Sequence, residues 1–188
     1  MVLAFVPPVN GKDISKYDRN LFGGWLDTDH DCQNTRHELL QERSTVKVIF
    51  SENKCRVMRG RWHDLYTDKT FLESNLVDID HLVPLKYSWD RGSYEWAEPR
   101  RLQFSNDPLN LFVVQKSVNR KKAALGPSKW LPPNIEFRCK YIQTFQNIIK
   151  KYKLNQSAAE LRLIEQVQHK NCSKLEWASL TTFTPNTH

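Results

Sequence analysis

The chain has 188 residues, 39% of them hydrophobic and 11% aromatic, with six Trp; it is long enough for one well-packed core with at most an appended subdomain, and this composition excludes a disordered chain. Its formal charge of +7 and pI near 9.3 favour a polyanionic partner, nucleic acid or an anionic membrane surface, although charge alone also serves solubility. No apolar run reaches the roughly 18 residues that a membrane-spanning helix requires.

Residues 1–24 read as a loop-like N-terminal extension, punctuated by "VPP" and "FGG". "MVLAFVPP" starts apolar but lacks the basic region and the length of a secretory signal, so the chain reads as non-secreted, or as a mature form with Met1 in place of a leader. "DTDHD", with Asp27, Asp29 and Asp31, resembles the opening of a calcium loop. Cys32 stands at the sixth position, where such a loop has Gly, and the segment is expected to be a turn or structural element. "NTRHELLQER" predicts a helix, opened by Asn34 or by Thr35 with Glu38 in a capping box. "VKVIF" and "CRVMRGRWHD", joined by "SENK", predict a strand pair.

"VDIDHLVPL" predicts a short strand ended by Pro84, followed by an irregular stretch and a short helix at "EPRRLQF" with Pro99 near its start. "NLFVVQ" predicts a buried strand, and "SVNRKKAAL" a helix with Ser117 as N-cap and Gly126 as terminator. After the loop "GPSKWLPPN", Phe137, Tyr141, Ile142, Phe145, Ile148, Ile149 and Tyr152 recur at helical spacing. A second helix opens at "SAAE", with Ser157 and Glu160 as capping box and apolar Leu161, Ile164 and Val167. The fold class is therefore α+β: an N-terminal helix and β-hairpin, a strand–connection–strand–helix centre, and a C-terminal antiparallel helical pair.

Cys32, Cys55, Cys139 and Cys172 contain no C-x-x-C pair, which argues against a zinc ribbon. If the two C-terminal helices lie antiparallel across their short link, Cys139 near the start of the first meets Cys172 past the end of the second. Cys32 and Cys55 then remain as the other pair. Two disulfides would mean export; the alternative is four reduced, buried thiols in a cytosolic protein.

Within "VDIDHLVPL", Asp78, Asp80 and His81 interrupt an apolar strand, and buried charge needs a partner or a metal. Singly, each has a structural explanation: His81 as a satisfied core histidine, Asp78 and Asp80 as turn caps, Asn110 and Asn119 as loop and helix-start residues. Together they suit chemistry. Asp80 and the amide oxygen of Asn119, expected in the first turn of the following helix, can serve a hard divalent cation. A neutral imidazole beside it can take a proton from water. Arg120, Lys121 and Lys122 supply charge for a phosphate backbone beside the helix N-terminus.

"DIDHLVPL", "NDPLNLFVVQ" and "SVNRKK", in that order, resemble the HNH nucleases, whose ββα-metal motif comprises two strands, a helix and one catalytic metal. "WLDTDHDCQNTRHELL", "CRVMRGRWHDLYT" and "WLPP" narrow the resemblance to a bacterial, often exported branch, from Trp25 to Cys172. It implies a single nuclease domain over 25–172, with a ββα-metal core at about 76–126, the helical pair at about 135–171 and a tail at 173–188. It implies His81 as general base, Asp80 and Asn119 as ligands of one divalent ion (Mg²⁺, with Mn²⁺ as an alternative), and Asn110 holding the loop and the His81 ring. Here the first motif position is Asp rather than His, and the last is Asn. The implied reaction is phosphodiester hydrolysis of DNA, or also of RNA, with little sequence specificity, leaving 5′-phosphate and 3′-hydroxyl ends.

Arg36 with Glu38 matches a "TR-E" element of the same branch; Arg36 either contacts the scissile phosphate or buttresses His81, or else makes a helix salt bridge or cap. Arg56, Arg59, Arg61, Lys150, Lys151 and Lys153 read as solvated charge, part of it a distributed nucleic-acid face. Trp89, Trp96 and Trp130 read as core or loop anchors rather than stacking platforms. The expected partner is nucleic acid, with no membrane, no obligate protein partner and a monomeric state. Two other classes compete: a non-catalytic basic nucleic-acid-binding module on the same fold, and a nuclease toxin of an intercellular system.

Overall fold

A computed structural model describes residues 16–180, so most of the N-terminal extension and residues 181–188 of the expected tail lie outside the described part. Asp18 opens the described chain as a cap, its carboxylate accepting from Asn20 N at 2.9 Å, and a 3-10 turn, Arg19–Phe22, sinks Phe22 into the core. Gly23 follows at φ 68, and a Cβ there would come within 2.2 Å of the Leu102 side chain, so the position requires glycine. Helix α1 (Thr35–Glu42) is capped by Asn34, whose side chain accepts from His37 N; this settles the two N-cap candidates. Its buried side, Leu39 and Leu40, packs against Val57 and Trp62 of the first sheet.

That sheet is antiparallel, in the order β1 (Ile49–Phe50), β2 (Val57–Asp64), β3 (Lys69–Glu73). The first two strands match expectation. Strand β3 was not expected, because its side chains are exposed or half-buried throughout, leaving no clear buried alternation to read. Strand β4 (Val77–His81) then pairs antiparallel with β5 (Leu111–Gln115), Val77 opposite Gln115 and His81 opposite Leu111. Their long connection holds a one-turn helix α2 (Leu85–Trp89), unexpected from sequence and held by burial of Leu85, Tyr87 and Trp89, and then α3 (Glu98–Ser105) with Pro99 in its first turn.

Helix α4 (Lys116–Lys122) follows β5 without a break. Its N-cap is Gln115, with no side-chain hydrogen bond, so Ser117 lies inside the first turn rather than capping it. It ends at Ala123, which takes φ 49, before Gly126 is reached. Helix α5 (Ile135–Tyr152) buries the whole predicted stripe from Phe137 to Tyr152. It leads by a short link into α6 (Ala158–Leu180), which runs beyond the expected end near 171 because no Gly or Pro interrupts it. Ser157 caps α6 by accepting from Glu160 N at 3.2 Å, but the Glu160 carboxylate turns instead to Arg91 and Tyr87, so only half of the expected box forms. Ile164 is buried as expected, whereas Leu161 is 40% exposed.

Both expected disulfides are present. Cys32–Cys55 ties the loop before α1 to the entry of β2, and Cys139–Cys172 joins the start of α5 to the far part of α6. The second bridge requires the two helices to run antiparallel. No helix among the described residues is long and apolar enough to cross a membrane.

Candidate active site at the β4–β5 hairpin

Alternation along β4 sends Asp78 and Asp80 to one face and His81 to the other. Helix α4 covers the aspartate face and runs in the same direction as β4. It therefore matches residues in step: Asn119 with Asp78, and Lys122 with Asp80. The Asn119 amide donates to Asp78 Oδ2 at 3.3 Å, in a half-buried position. Deeper in, the fully buried Lys122 ammonium donates to Asp80 Oδ1 at 3.0 Å and to the His81 carbonyl at 2.8 Å. Its nitrogen also lies 2.9 Å from Asp80 Oδ2, which accepts from the Tyr66 hydroxyl at 2.7 Å. Burial pushes the Asp80 carboxyl above its ordinary pKa and the Lys122 ammonium below its own, and each charge opposes the shift of the other.

Two corrections follow. Lys122, expected on the phosphate-binding surface, is wholly buried because its ammonium is the partner of Asp80. Arg120 and Lys121 remain exposed, but all three occupy the last turn of α4, so the helix N-terminus expected beside them lies at the other end. Asn119 sits in the middle of the helix rather than in its first turn, and its amide donates to Asp78. The structure thus brings Asp80 to Lys122 and Asn119 to Asp78.

His81, 6% exposed, is held from two sides. Its Nε2 lies 2.8 Å from the Ser105 carbonyl, an acceptor, so Nε2 carries the hydrogen and Nδ1 keeps the lone pair. The Trp25 indole lies parallel to the imidazole, with centroids 5.4 Å apart and planes 5° apart. Burial lowers the His81 pKa to about 3; the hydrogen bond to Ser105 opposes that shift, while Arg19 and Lys122 add to it, so the ring is neutral at ordinary pH. The ring borders a cleft of about 210 Å³ with Arg19, Asn20, Gly23, Gly24 and Trp25.

Asn110, fully buried, accepts from Val83 N at 2.8 Å and donates to Val83 O at 3.2 Å, and its own carbonyl accepts from Leu82 N. It therefore holds the turn after His81, while Ser105 and Trp25 hold the ring itself. Arg36 donates to the carbonyls of Ser74 and Val77, at 3.2 and 3.0 Å, bracing the entry of β4. Burial lowers its pKa and the nearby Asp78 raises it. Trp25, Ser105, Tyr66 and Arg19 were not singled out as site residues from sequence. They come from three separate segments, and no local pattern marks them.

A strand pair, the helix packed across it and an Asp-His step at the strand end make up the candidate site. The chain belongs to the family described as the C-terminal domain of GmrSD restriction endonucleases, whose model matches residues 33–166. It is 32% identical over 146 residues to a protein named "Uncharacterized secreted protein" from Arthroderma benhamiae (strain ATCC MYA-4681 / CBS 112371), a match covering 77% of this chain and 70% of the relative. No solved structure matches it.

Proposed function

We propose that this protein is an exported nuclease that hydrolyses phosphodiester bonds of DNA, with RNA as a second substrate and little sequence specificity, and that His81 is its general base. The observation that carries the proposal is the fixed, neutral imidazole: Nε2 is committed to the Ser105 carbonyl, which leaves Nδ1 as proton acceptor at a cleft that also presents Arg19. A water molecule in this cleft would lose its proton to His81 Nδ1 as its oxygen attacks phosphorus in line with the leaving 3′ oxygen. Arg19 would bind the non-bridging oxygens, and the leaving 3′ oxygen would take a proton from solvent water, so the products would carry 5′-phosphate and 3′-hydroxyl ends. Asn110 keeps the turn after His81 rigid, so that the ring does not have to be ordered during the reaction. Export is supported by the two disulfides and by the name of the fungal relative.

A divalent ion, when bound, supplies positive charge for the phosphate and leaving oxygens. A carboxylate and an amide oxygen are suitable donors, but Asp80 and Asn119 do not fit the ion as they stand, because the Lys122 ammonium and the Tyr66 hydroxyl hold both Asp80 oxygens. The ion and Lys122 would compete for the same carboxylate. The same engagement of Asp80 favours the second reading, a basic nucleic-acid-binding module without catalysis.

Supercoiled plasmid and RNA incubated with the protein in Mg²⁺, Mn²⁺ or EDTA separate the two. Cleavage by the wild type, with His81→Ala slower by about 10²- to 10⁴-fold but equally folded and equally able to bind DNA, is the expected outcome. Unchanged plasmid nicking by His81→Ala would sink the assignment of the base. No cleavage under any of these conditions would leave the binding module.

A further inference from the structure

Strand β5 is an edge strand, because its sheet consists of β4 and β5 alone. Leu82 N donates to the Asn110 carbonyl at 2.8 Å, so these two residues form a hydrogen-bonded pair at the end of the antiparallel ladder. Such pairs alternate with non-bonded ones, which turns the N–H and C=O of Phe112 and Val114 towards β4. Those of Leu111, Val113 and Gln115 therefore point away from it. Both strands agree with this phase: Gln115 N donates outward to Asp64 Oδ2 at 3.1 Å, and the His81 carbonyl, opposite Leu111, accepts from Lys122.

Two of the outward groups are thus accounted for within the fold, since Asp64 takes Gln115 N and the Leu111 N–H donates to the Pro108 carbonyl. Among the described residues, the Leu111 C=O and both backbone groups of Val113 have no partner. Leu111, Phe112 and Val113 all line one cleft of about 580 Å³. Side chains alternate between the two faces of a strand, so three consecutive residues meet one cavity along the strand edge. The cleft shares no lining residue with the one beside His81. Its apolar lining includes Leu65, Ile148 and Leu109, and Leu109 is 62% exposed. Arg43, Lys140 and Lys151 line it too, and no aspartate or glutamate does. Arg43 and Lys151 touch carboxylates outside the lining, whereas Lys140 makes no ion pair among the described residues.

We propose that this cleft docks an extended peptide segment of a partner protein, apolar at alternate positions and acidic at its ends, which adds to β5 as a third strand. The segment supplies N–H donors to the Leu111 and Val113 carbonyls and an acceptor to the Val113 N–H. Its apolar side chains cover Leu109 and Ile148, and its carboxylates meet Lys140 and Arg43. A nucleic-acid strand would match the charge but lacks the regularly spaced amides that a strand edge pairs with. Because β5 is the partner of the strand that carries His81, the docked segment braces the hairpin, whether or not the hairpin is catalytic.

The test uses the full chain and a fluorescein-labelled peptide of sequence DEVTVTVED. Anisotropy is expected to show one saturable site with Kd on the order of 10⁻⁵ M, weakened about tenfold by Lys140→Glu. Amide hydrogen exchange reads the backbone pairing directly: the Val113 N–H should exchange at least about tenfold more slowly with the peptide bound. The same peptide N-methylated along its centre loses the donors and should neither bind nor protect. The proposal is overturned by no saturable binding below about 1 mM, by equal binding of the N-methylated peptide, or by unchanged exchange at Val113. Protection of Val113 by oligothymidylate and not by the peptide would give the cleft to nucleic acid and overturn it as well. None of these readouts depends on whether the protein cleaves nucleic acid.

Discussion

Asp80 accepts from the Lys122 ammonium and the Tyr66 hydroxyl, and the same ammonium binds the carbonyl of His81. Two opposite charges are thus removed from water at the residue next to the candidate base. A pair of this kind adds little net stability over well-packed apolar side chains, but removing one member leaves the other charged and unpaired. Lys122→Met should therefore lower stability by about 3 kcal/mol, and Asp80→Asn by a similar amount. The double variant should lose less than the sum of the two, because no lone charge remains. Urea denaturation of the four chains measures this, and strict additivity would show that the two groups do not interact. Asn119 and Asp78, half-buried on the same face, form a looser polar contact.

At the level of elements, α5 carries the largest apolar stripe among the described residues, and its packing orders much of the main core. Among the described side chains of α6, Ile164 is buried while Leu161 and Leu163 face solvent. The Cys139–Cys172 bridge, together with the Glu160–Arg91 pair, fixes α6 to the rest of the fold, and the bridge closes a sequence separation of 33. Closing a loop of that length restricts the unfolded chain by about 3 to 4 kcal/mol. Replacing Cys139 and Cys172 together by Ala should lower Tm by about 10 °C, whereas an unchanged melting curve would show that helix packing alone sets the position of α6. The short elements α2 and β3 escape sequence patterns for a related reason. One is a single turn held by its neighbours, and the other presents no clear buried side to the core.

Over the whole molecule, the formal charge of +7 is not spread evenly in its effects. Lys122 is consumed in the core, Arg59 pairs with Glu73, and Lys151 pairs with Asp107. Arg120 and Lys121 stay exposed at the end of α4 and are available to phosphates. In a salt titration of DNA binding, each cation that contacts a phosphate adds about one to the slope of log K against log salt. Arg120→Ala/Lys121→Ala should reduce that slope by about 2 at every DNA sequence tried. An unchanged slope would place the nucleic-acid face elsewhere.

How much of this was legible in the chain depends on the range of the forces involved. The stripe of α5, the β4 and β5 strands and the Cys139–Cys172 pairing follow from periodicity and local stereochemistry, which act over a few residues or across one short link. The motif order likewise points to the family. What holds His81, by contrast, arrives from Trp25 and Ser105, and the partner of Asp80 proved to be Lys122 rather than Asn119. Those partnerships depend on the direction in which α4 crosses β4 and on which groups lose their water, and only the packed tertiary structure decides either.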